Sequence, residues 1–208
     1  MRIGIIGAGS LGSALGERLG GARHEILFAG GDTALEVAGR LRLGVGTNSE
    51  AAAFGEVVVL AVPFAAIDAA LEEAGALPDR VLWSCVNALK PDFSGLAVGF
   101  DTSAAEEVAR RATGARVVAA IPPFAPAIAS GDLAYDHGLA PSVFLCGDDP
   151  GAKGVVEGLV RDIGAQPVDA GRLSAARLVE PAMMLLLRLA YAGVPRDIGI
   201  RLLERTSG

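Results

Sequence analysis

Near its start the chain carries glycines at the spacing of a phosphate-binding loop. Gly7, Gly9 and Gly12 form the pattern G-x-G-x-x-G between a predicted strand and a predicted helix. In such a loop the first glycine permits a tight turn, the second lets the backbone approach a pyrophosphate, and the third lets helix and strand pack closely. The N–H groups at the helix start would face the phosphates, and the helix dipole adds attraction. The predicted pyrophosphate-binding residues are Gly7, Ala8, Gly9, Ser10, Leu11 and Gly12. The alternative, a glycine-rich turn that binds nothing, is disfavoured by this strand–loop–helix context.

A second stretch, FAGGD, should discriminate between dinucleotides. A predicted strand ends at Ala29 and is followed by Gly30, Gly31 and Asp32. Asp32 lies 20 residues after Gly12, where an acidic residue commonly binds the ribose 2′-hydroxyl of NAD. It could also cap the helix that follows. The two glycines offer only backbone N–H groups to a 2′-phosphate, without the charge-assisted contact that an arginine gives to NADP.

Strand-like and helix-like segments alternate along the chain and would position these residues. Short apolar runs predict strands, and apolar residues at helical spacing predict helices. The predicted strands span 2–6, 25–29, 56–62, 80–86, 116–121, 142–146 and 166–169. The predicted helices span 10–19, 33–41, 65–73, 150–162 and 174–192, with one more opening after Ser103. This alternation implies right-handed crossovers, so we expect an α/β fold: a Rossmann-type doubly wound, mostly parallel sheet with a small C-terminal helical region.

Capping residues mark three of the predicted helix starts. Capping boxes are expected at 33–36, from Thr33 to Glu36, and at 103–106. Asp149 is expected to cap a helix that has Pro150 at its first position, where proline is favoured.

The chain is expected to divide at residue 170. Residues 1–170 would form the dinucleotide-binding Rossmann domain, and residues 171–208 a helical region on the substrate side. The helix predicted in that region contains Met183, Met184 and the leucines 185–187, and it is apolar nearly all round. Such a helix requires burial on most sides. Core packing would cover part of it, and a homodimer contact would cover the remainder.

Composition excludes several other classes of protein. The 208 residues are 51% hydrophobic, which is enough for a sizeable core. A net charge of −6 argues against nucleic acid or an anionic membrane as partner. Cys85 and Cys146 lie in apolar runs, as is typical of buried thiols in a reducing cytoplasm. With His24 and His137 far apart, no metal site is predicted. The apolar run around Arg188 is too short to span a bilayer, so a cytoplasmic protein is expected.

Nearly the whole chain resembles one family. The opening GIIGAGSLGSALGERL, the third-strand segment EVVVLAVPFAAI and the C-terminal stretch beginning FLCGDDPGAKG have that family's pattern. The most distinctive segment is LKPDFSGLAVGFDTSAAEEVARRATGARVV, a loop followed by a capped helix. On these residues the chain resembles the NADP oxidoreductases related to coenzyme F420-dependent NADP reductase. The resemblance implies hydride transfer between nicotinamide C4 and a deazaflavin ring, for which no side-chain base is obligatory.

The resemblance also implies cofactor-binding residues outside the glycine loop, each just after a predicted strand. These residues are Val62, Pro63, Phe64, Asn87, Pro123 and Phe124. The first three would flank the ribose and phosphate path of the cofactor, and the last two would lie beside the nicotinamide. Asn87 would lie near the ribose on the nicotinamide side, where Ala88 replaces the proline of the family pattern.

Three departures from the family pattern bear on the cofactor and the acceptor. Glycines at 30–31 replace a Ser-Arg pair, which weakens the case for NADP. The sequence PPF at 122–124 replaces the His or Asn often found after the fifth strand, and it adds apolar surface near the reacting ring. Tyr135 and His137, in the polar loop 130–141, would either line a substrate mouth or belong to a solvated surface.

The function predicted from these features is that of an enzyme, an NAD(P)-dependent oxidoreductase. It would pass hydride between the nicotinamide and a planar acceptor such as coenzyme F420 or a flavin, with NADP as the expected cofactor and NAD as the alternative. Two other functions stay open: a reductase of an imine or carbonyl, and a non-catalytic dinucleotide-binding module. The expected partners are a small-molecule redox acceptor and a second copy of the chain.

Overall fold

The computed structural model describes residues 1–122, 125–192 and 198–205. Eight strands form one sheet: β1 (Arg2–Ile6), β2 (Glu25–Ala29), β3 (Gly44–Gly46), β4 (Val57–Leu60), β5 (Val81–Ser84), β6 (Arg116–Ala120), β7 (Ser142–Gly147) and β8 (Gln166–Asp169). The helices are α1 (Ser10–Gly21), α2 (Gly31–Leu41), α3 (Asn48–Phe54), α4 (Ile67–Ala74), α5 (Ala104–Arg111), α6 (Ala125–Ser130), α7 (Pro150–Asp162) and α8 (Ala176–Tyr191). None of the helices in this part of the chain is long and apolar enough to cross a membrane.

The strand order is β3-β2-β1-β4-β5-β6-β7-β8, so the sheet is doubly wound about the β1–β4 pair. All neighbouring strands are parallel except β6 and β7. Ile6, Leu60 and Ser84 lie side by side, so that the carboxyl ends of β1, β4 and β5 meet at one edge. In open α/β sheets, ligands bind outside such an edge, where the winding direction reverses. The predicted Rossmann-type, mostly parallel sheet is confirmed.

Two apolar layers cover the two faces of the sheet. Alternate residues of each strand point to opposite sides, so Ile5 and Val59 belong to one layer while Ile6 and Val58 belong to the other. Residues of α1, α2 and α7 complete the first layer, and residues of α3, α4, α5 and α8 contribute to the second. Because both faces are buried, the central strands are apolar throughout, which is why their sequences lack alternation.

The sequence analysis missed two elements, one strand and one helix. The strand β3 is the three-residue segment GVG, whose glycines have low strand propensity. Helix α3 is short and alanine-rich, but its start does carry a capping box: Thr47 accepts the Glu50 N–H at 3.1 Å, and Glu50 accepts the Thr47 N–H at 2.8 Å. That signal was available in the sequence.

Strict strand–helix alternation, from which a wholly parallel arrangement would follow, fails after β6. The connection from β6 to β7 contains only the six-residue α6 and a 3₁₀ turn at Asp136–Gly138 among the described residues. The chain therefore returns beside β6 in the antiparallel direction.

The predicted helix starts have mixed outcomes. Asp149 caps α7 as predicted, accepting the Ala152 N–H at 2.6 Å. Of the capping box predicted at 103–106, one half is present: Ser103 accepts the Glu106 N–H at 3.1 Å, while the Glu106 carboxylate accepts from the Ser103 hydroxyl rather than from its backbone N–H. The predicted capping box at 33–36 is wrong, because α2 already begins at Gly31 with Gly30 as its N-cap residue. Only glycine readily adopts the φ angles found there, 146° and 62°, so the chain turns into the helix two residues early.

The region after residue 170 is helical only in part. Helix α8 follows a 3₁₀ turn at Leu173–Ala175. Residues 198–205 contain no helix and run along the start of β7. There the Ser142 N–H donates to the Ile200 carbonyl at 2.7 Å, and the Leu202 N–H donates to the Ser142 hydroxyl at 3.0 Å. The predicted C-terminal helical region therefore consists of α8 and, beyond it, a segment without helix at 198–205, and the division at residue 170 stays a prediction.

Candidate dinucleotide site

The glycine loop joins β1 to α1 and lies in contact with the loop that follows β4. Gly7 has a φ of 102°, which favours glycine. A methyl group on Gly7 would lie 2.4 Å from the Ala61 carbonyl oxygen and 3.0 Å from a side-chain carbon of Val62. The turn at Gly7 therefore brings the start of α1 against the end of β4.

The other two motif glycines have different surroundings. A methyl group on Gly12 would lie 1.9 Å from the Gly7 carbonyl oxygen, so Gly12 is needed for the helix to approach the loop. A methyl group on Gly9 would meet nothing within 4 Å. Gly9 is exposed and is the N-cap residue of α1, with no side-chain cap. The space above Gly9 is therefore open for a ligand to approach the backbone.

The rest of the loop is held in place from within the chain. The Ser13 hydroxyl donates to the Ala8 carbonyl at 2.8 Å, and the Ala8 side chain is buried. Ser10 is exposed and Leu11 is half-buried. This fixed loop presents the first N–H groups of α1 to solvent, as an anion-binding helix start requires.

The tip after β2 lies directly beside this loop. A methyl group on Gly30 would lie 3.2 Å from the Ala8 nitrogen. Gly30, Gly31 and Asp32 are exposed, and no side chain caps α2. Asp32 lies in the first turn of the helix, so the interpretation of Asp32 as the helix cap is wrong.

No arginine of α2 lies near the tip. Arg40 is in the last turn of the helix and pairs with Glu17 at 3.4 Å, and Arg42 follows the helix. An 11-residue helix is about 16 Å long, so both arginines lie at the opposite end from Gly31. The cation that usually selects a 2′-phosphate is thus absent from this helix's start.

Residues after β4 line the same edge. Val62 is half-buried against Gly7, and Pro63 is exposed. Phe64 is half-buried, opens a 3₁₀ turn and packs against the core layer that contains Ile6. The structure thus brings these three predicted residues to the edge where the glycine loop lies.

Asn87 follows β5 and is held by a residue that the sequence analysis missed. Its side-chain nitrogen Nδ2 donates to the backbone carbonyl of Glu180, in α8, at 3.3 Å. Its side-chain oxygen Oδ1 is buried and has no hydrogen-bond partner within the described residues. The amide is therefore fixed on its donor side and free on its acceptor side.

The Glu180 side chain is itself buried, with 2% of its surface exposed. Its two carboxylate oxygens accept the N–H groups of Ala104 and Ala105 at 2.8 Å and 3.0 Å. Burial raises the pKa of the Glu180 carboxyl to about 7, and these N–H groups, together with that of Ala88, oppose the rise. The carboxylate thus supplements the Ser103 cap at the start of α5.

A second contact joins α8 to α5 one turn earlier. Arg177 makes a bidentate pair with Glu106, with nitrogen–oxygen distances of 2.8 Å and 2.7 Å. The Arg177 hydrogen bond is the main reason that the pKa of Glu106 is lowered. Two residues on one face of α8 therefore form hydrogen bonds with residues at the start of α5.

The other predicted site residues lie in the connection between β6 and β7. Pro123 and Phe124 fall outside the described residues. Tyr135 lies beside Gly199, since a methyl group there would be 3.3 Å from the tyrosine ring, and His137 is exposed on a 3₁₀ turn. The two cysteines are buried free thiols, as predicted, and burial raises the pKa of each. Within residues 1–122, 125–192 and 198–205, no group of three potential metal ligands is present.

A doubly wound sheet with this glycine loop between its first strand and first helix defines a protein of the Rossmann class, whose members bind dinucleotides at the crevice. Residues 2–88 match the family described as NADP oxidoreductase, coenzyme F420-dependent. The F420-dependent NADP reductase of Methanothermobacter thermautotrophicus is 32% identical, with 97% of this chain and 94% of that protein covered. That of Methanothermobacter marburgensis is 31% identical, with 97% and 98% covered. The chain belongs to the family of coenzyme F420-dependent NADP oxidoreductases, and it is an oxidoreductase.

Solved structures share the fold. A protein of Arthrobacter sp. FB24, assigned provisionally as an F420-dependent NADP-reductase, superposes with a TM-score of 0.87 at 24% identity, over 97% of this chain and 99% of that chain. Protein SMa0349 of Sinorhizobium meliloti gives a TM-score of 0.73 at 28% identity, over 85% and 87%. The Streptomyces aurantiacus imine reductase gives 0.69 at 19% identity, over 92% of this chain but 63% of that chain. At 24% and 19% identity, the first and third of these likenesses concern the fold alone.

Proposed function

We propose that this protein transfers hydride between NADPH and a deazaflavin acceptor of the coenzyme F420 type. The observation that carries the proposal is the open, uncapped glycine loop at the β1–β4 crevice, within a chain that matches F420-dependent NADP reductases along almost its whole length. A flavin is the alternative planar acceptor.

In this proposal the loop from Gly7 to Gly12 holds the pyrophosphate. The Gly9 backbone approaches it most closely, because no protein atom lies within 4 Å of the place where a side chain would be. Gly30, Gly31 and Asp32 lie beside the adenosine ribose, since their tip adjoins Ala8. The positive end of the α1 dipole adds attraction for the phosphates.

The nicotinamide half then extends along the carboxyl ends of β4 and β5. Val62, Pro63 and Phe64 flank the ribose and phosphate path, and Asn87 lies by the nicotinamide-side ribose. Pro123 and Phe124 are proposed to lie beside the nicotinamide. The bound nicotinamide supplies the hydride chemistry, and these side chains position the rings and exclude water.

NADP is proposed over NAD because of the family and because the start of α2 has no side-chain cap. Gly30 and Gly31 leave the N–H groups at the start of α2 available to a 2′-phosphate, and α2 has no side-chain cap. Asp32, exposed in the first turn, would instead suit a ribose hydroxyl. Asp32 is therefore the residue at this tip that opposes a preference for NADP.

We further propose a homodimer through α8, with residues 171–208 forming the substrate-side region beside a dinucleotide-binding domain of residues 1–170. Leu178, Leu185 and Leu189 lie at helical spacing and are 71%, 60% and 40% exposed. Together they form an apolar stripe along one side of α8. Pairing two such stripes about a two-fold axis would cover both at once.

The test is an absorbance assay at 340 nm, with NADPH or NADH and with F420, FMN or FAD as acceptor. Rapid NADPH oxidation with F420, and little with the flavins, is the expected result. Activity with a flavin alone would change the acceptor class. Binding of a dinucleotide without oxidation by any of the three acceptors would refute the proposed reaction and favour a non-catalytic module.

A further inference from the structure

The side-chain amide of Asn87, which within the described residues is hydrogen-bonded through its nitrogen only, has a defined orientation. A backbone carbonyl can only accept a hydrogen bond, so the group that faces the Glu180 carbonyl must be the amide nitrogen. The amide oxygen consequently faces away from α8. Because this oxygen is buried and has no partner within the described residues, it is an acceptor held ready for a donor that the described part of the chain does not supply.

Glu180 holds this turn by two routes. Its backbone carbonyl accepts from the Asn87 side chain at 3.3 Å, and the N–H of the next residue, Ala88, is among the groups that oppose the rise in the pKa of its carboxyl. The carboxylate accepts the N–H groups of Ala104 and Ala105, so the turn, α8 and α5 all meet at Glu180. A shift of Glu180 would therefore move the Asn87 amide.

Glu180 does two things at the start of α5. The Ser103 hydroxyl accepts only the Glu106 N–H there, so the Glu180 carboxylate is the acceptor for the N–H groups of the buried Ala104 and Ala105. Glu180 also connects α5 to the turn that contains Asn87, because its backbone carbonyl accepts from the Asn87 side chain. That turn lies at the carboxyl end of β5, next to β4, whose following loop contacts Gly7.

We propose that Glu180 is a positioning residue, which orients Asn87 so that the free amide oxygen accepts a hydrogen bond from a hydroxyl of the ribose on the nicotinamide half of the dinucleotide. The inference rests on the dinucleotide-binding function proposed above. It assigns to α8, which lies outside the predicted dinucleotide-binding domain, a direct influence on cofactor affinity.

A double-mutant cycle tests the proposal. Dissociation constants are measured by calorimetry for NADPH and for adenosine 2′,5′-bisphosphate, a fragment that lacks the nicotinamide ribose. The variants are Asn87→Ala, Glu180→Gln and the two combined. The matched control is Arg177→Met, which breaks the other α8–α5 contact and has no hydrogen bond to Asn87 within the described residues. Should Glu180→Gln not fold, Glu180→Asp replaces it.

We expect Asn87→Ala to weaken NADPH binding about tenfold, the usual effect of losing one hydrogen bond. Glu180→Gln should weaken it by several-fold, and the double variant should bind NADPH no more weakly than Asn87→Ala alone. The fragment's affinity should change less than twofold in all of them, and Arg177→Met should leave NADPH affinity within twofold of the wild type.

Two results would overturn the inference alone. In the first, the losses from Asn87→Ala and Glu180→Gln multiply, as they do for independent sites. In the second, Glu180→Gln weakens the fragment as much as NADPH, as a general loosening of the fold would. If the wild type binds neither ligand, the proposed dinucleotide function fails, and this inference fails with it.

Discussion

The three glycines of the loop should respond differently to the same substitution. Gly9→Ala places a methyl group in open space, because no atom lies within 4 Å of that position and the backbone φ is −66°. Alanine is a poorer N-cap residue than glycine by some tenths of a kcal/mol, up to about 1 kcal/mol. Restricting the unfolded chain contributes about 0.4–1 kcal/mol in the opposite direction. The free energy of unfolding should therefore change by less than about 1 kcal/mol.

Binding should respond strongly to Gly9→Ala. If the pyrophosphate approaches the Gly9 backbone, the methyl group occupies the same space, and overpacking of this kind costs about 1–3 kcal/mol. That corresponds to a loss of NADPH affinity of roughly 5-fold to 150-fold. Calorimetric titration with NADPH and urea unfolding measure the two quantities separately.

Gly12→Ala is the contrasting variant. Its methyl group would lie 1.9 Å from the Gly7 carbonyl oxygen, so α1 must shift and stability should fall by about 1–3 kcal/mol or more. Gly39→Ala, in the last turn of α2 with open surroundings, is the control, and it should stabilise the helix by up to about 0.5–1 kcal/mol. If Gly9→Ala binds NADPH like the wild type, the pyrophosphate does not lie over Gly9 and the proposed placement is wrong.

Three further predictions concern other parts of the molecule. Glu180→Gln should flatten the pH dependence of the free energy of unfolding. In the wild type the pKa of the Glu180 carboxyl is raised from 4.5 to about 7, so between these pH values the native state binds one proton more than the unfolded state. The free energy of unfolding of the wild type should therefore fall by roughly 3 kcal/mol as the pH rises through that window. Urea unfolding at a series of pH values measures this, and an equal slope in both proteins would contradict it. Asp32→Asn should raise the ratio of NADPH to NADH affinity about tenfold if the carboxylate lies at the ribose 2′ position, because a repulsion of about 1.4 kcal/mol between the carboxylate and the 2′-phosphate is removed. Glu36→Gln, one turn further along α2, is the control. An unchanged ratio for Asp32→Asn would place dinucleotide selection elsewhere. Leu185→Lys should convert the proposed dimer to a monomer in light scattering without loss of thermal stability, because this side chain is 60% exposed; a persisting dimer would show that another surface pairs.

Most of the fold could be predicted because local patterns determine it. The apolar runs predicted β1 and β2 with the bounds observed, the short strand predicted at 166–169 matches β8, and Asp149-Pro150 located the start of α7. The antiparallel β6–β7 pair could not be derived this way, since pairing direction depends on the path of the connection in space. The start of α2 was misplaced because backbone conformations at two glycines, rather than a capping side chain, begin that helix.

The residues of the site likewise divide into those that a local sequence pattern predicts and those that it does not. A contiguous motif of six residues encodes the glycine loop. The position of the loop, and the difference between the surroundings of Gly9 and those of Gly12, therefore follow from the sequence. The hydrogen bonds from the start of α5 to the Glu180 carboxylate join residues that are 75 and 76 positions apart, and no local pattern encodes such a contact. One signal was nevertheless present: Ala176, Glu180 and Met183 fall on one stripe of α8, so helical spacing alone places a carboxylate on the buried face.

Helices α4 and α8 continue directly from 3₁₀ turns and have no side-chain cap. The starts of α1, α2, α3, α5 and α7 divide into two groups, and this division bears on the ligand. Helices α3, α5 and α7 begin with Thr47, Ser103 and Asp149, whose side chains accept N–H groups of the first turn. Helices α1 and α2 begin with Gly9 and Gly30, which have no side chain to do so. Each missing cap leaves unused about 1 kcal/mol of stabilisation that serine or aspartate would give.

The starts of α1 and α2 are also neighbours. The position of a methyl group on Gly30 lies 3.2 Å from the nitrogen of Ala8, the residue before Gly9. The first-turn N–H groups of both helices are therefore left for external acceptors at one corner of the crevice, and both helix dipoles direct their positive ends there. A dinucleotide with phosphate at its pyrophosphate bridge and at its 2′ position has two anionic groups to fill such a pair of starts, whereas NAD has only the first. The arrangement of the caps thus favours NADP even though no arginine of α2 is near, and it makes Asp32 the residue that opposes this preference.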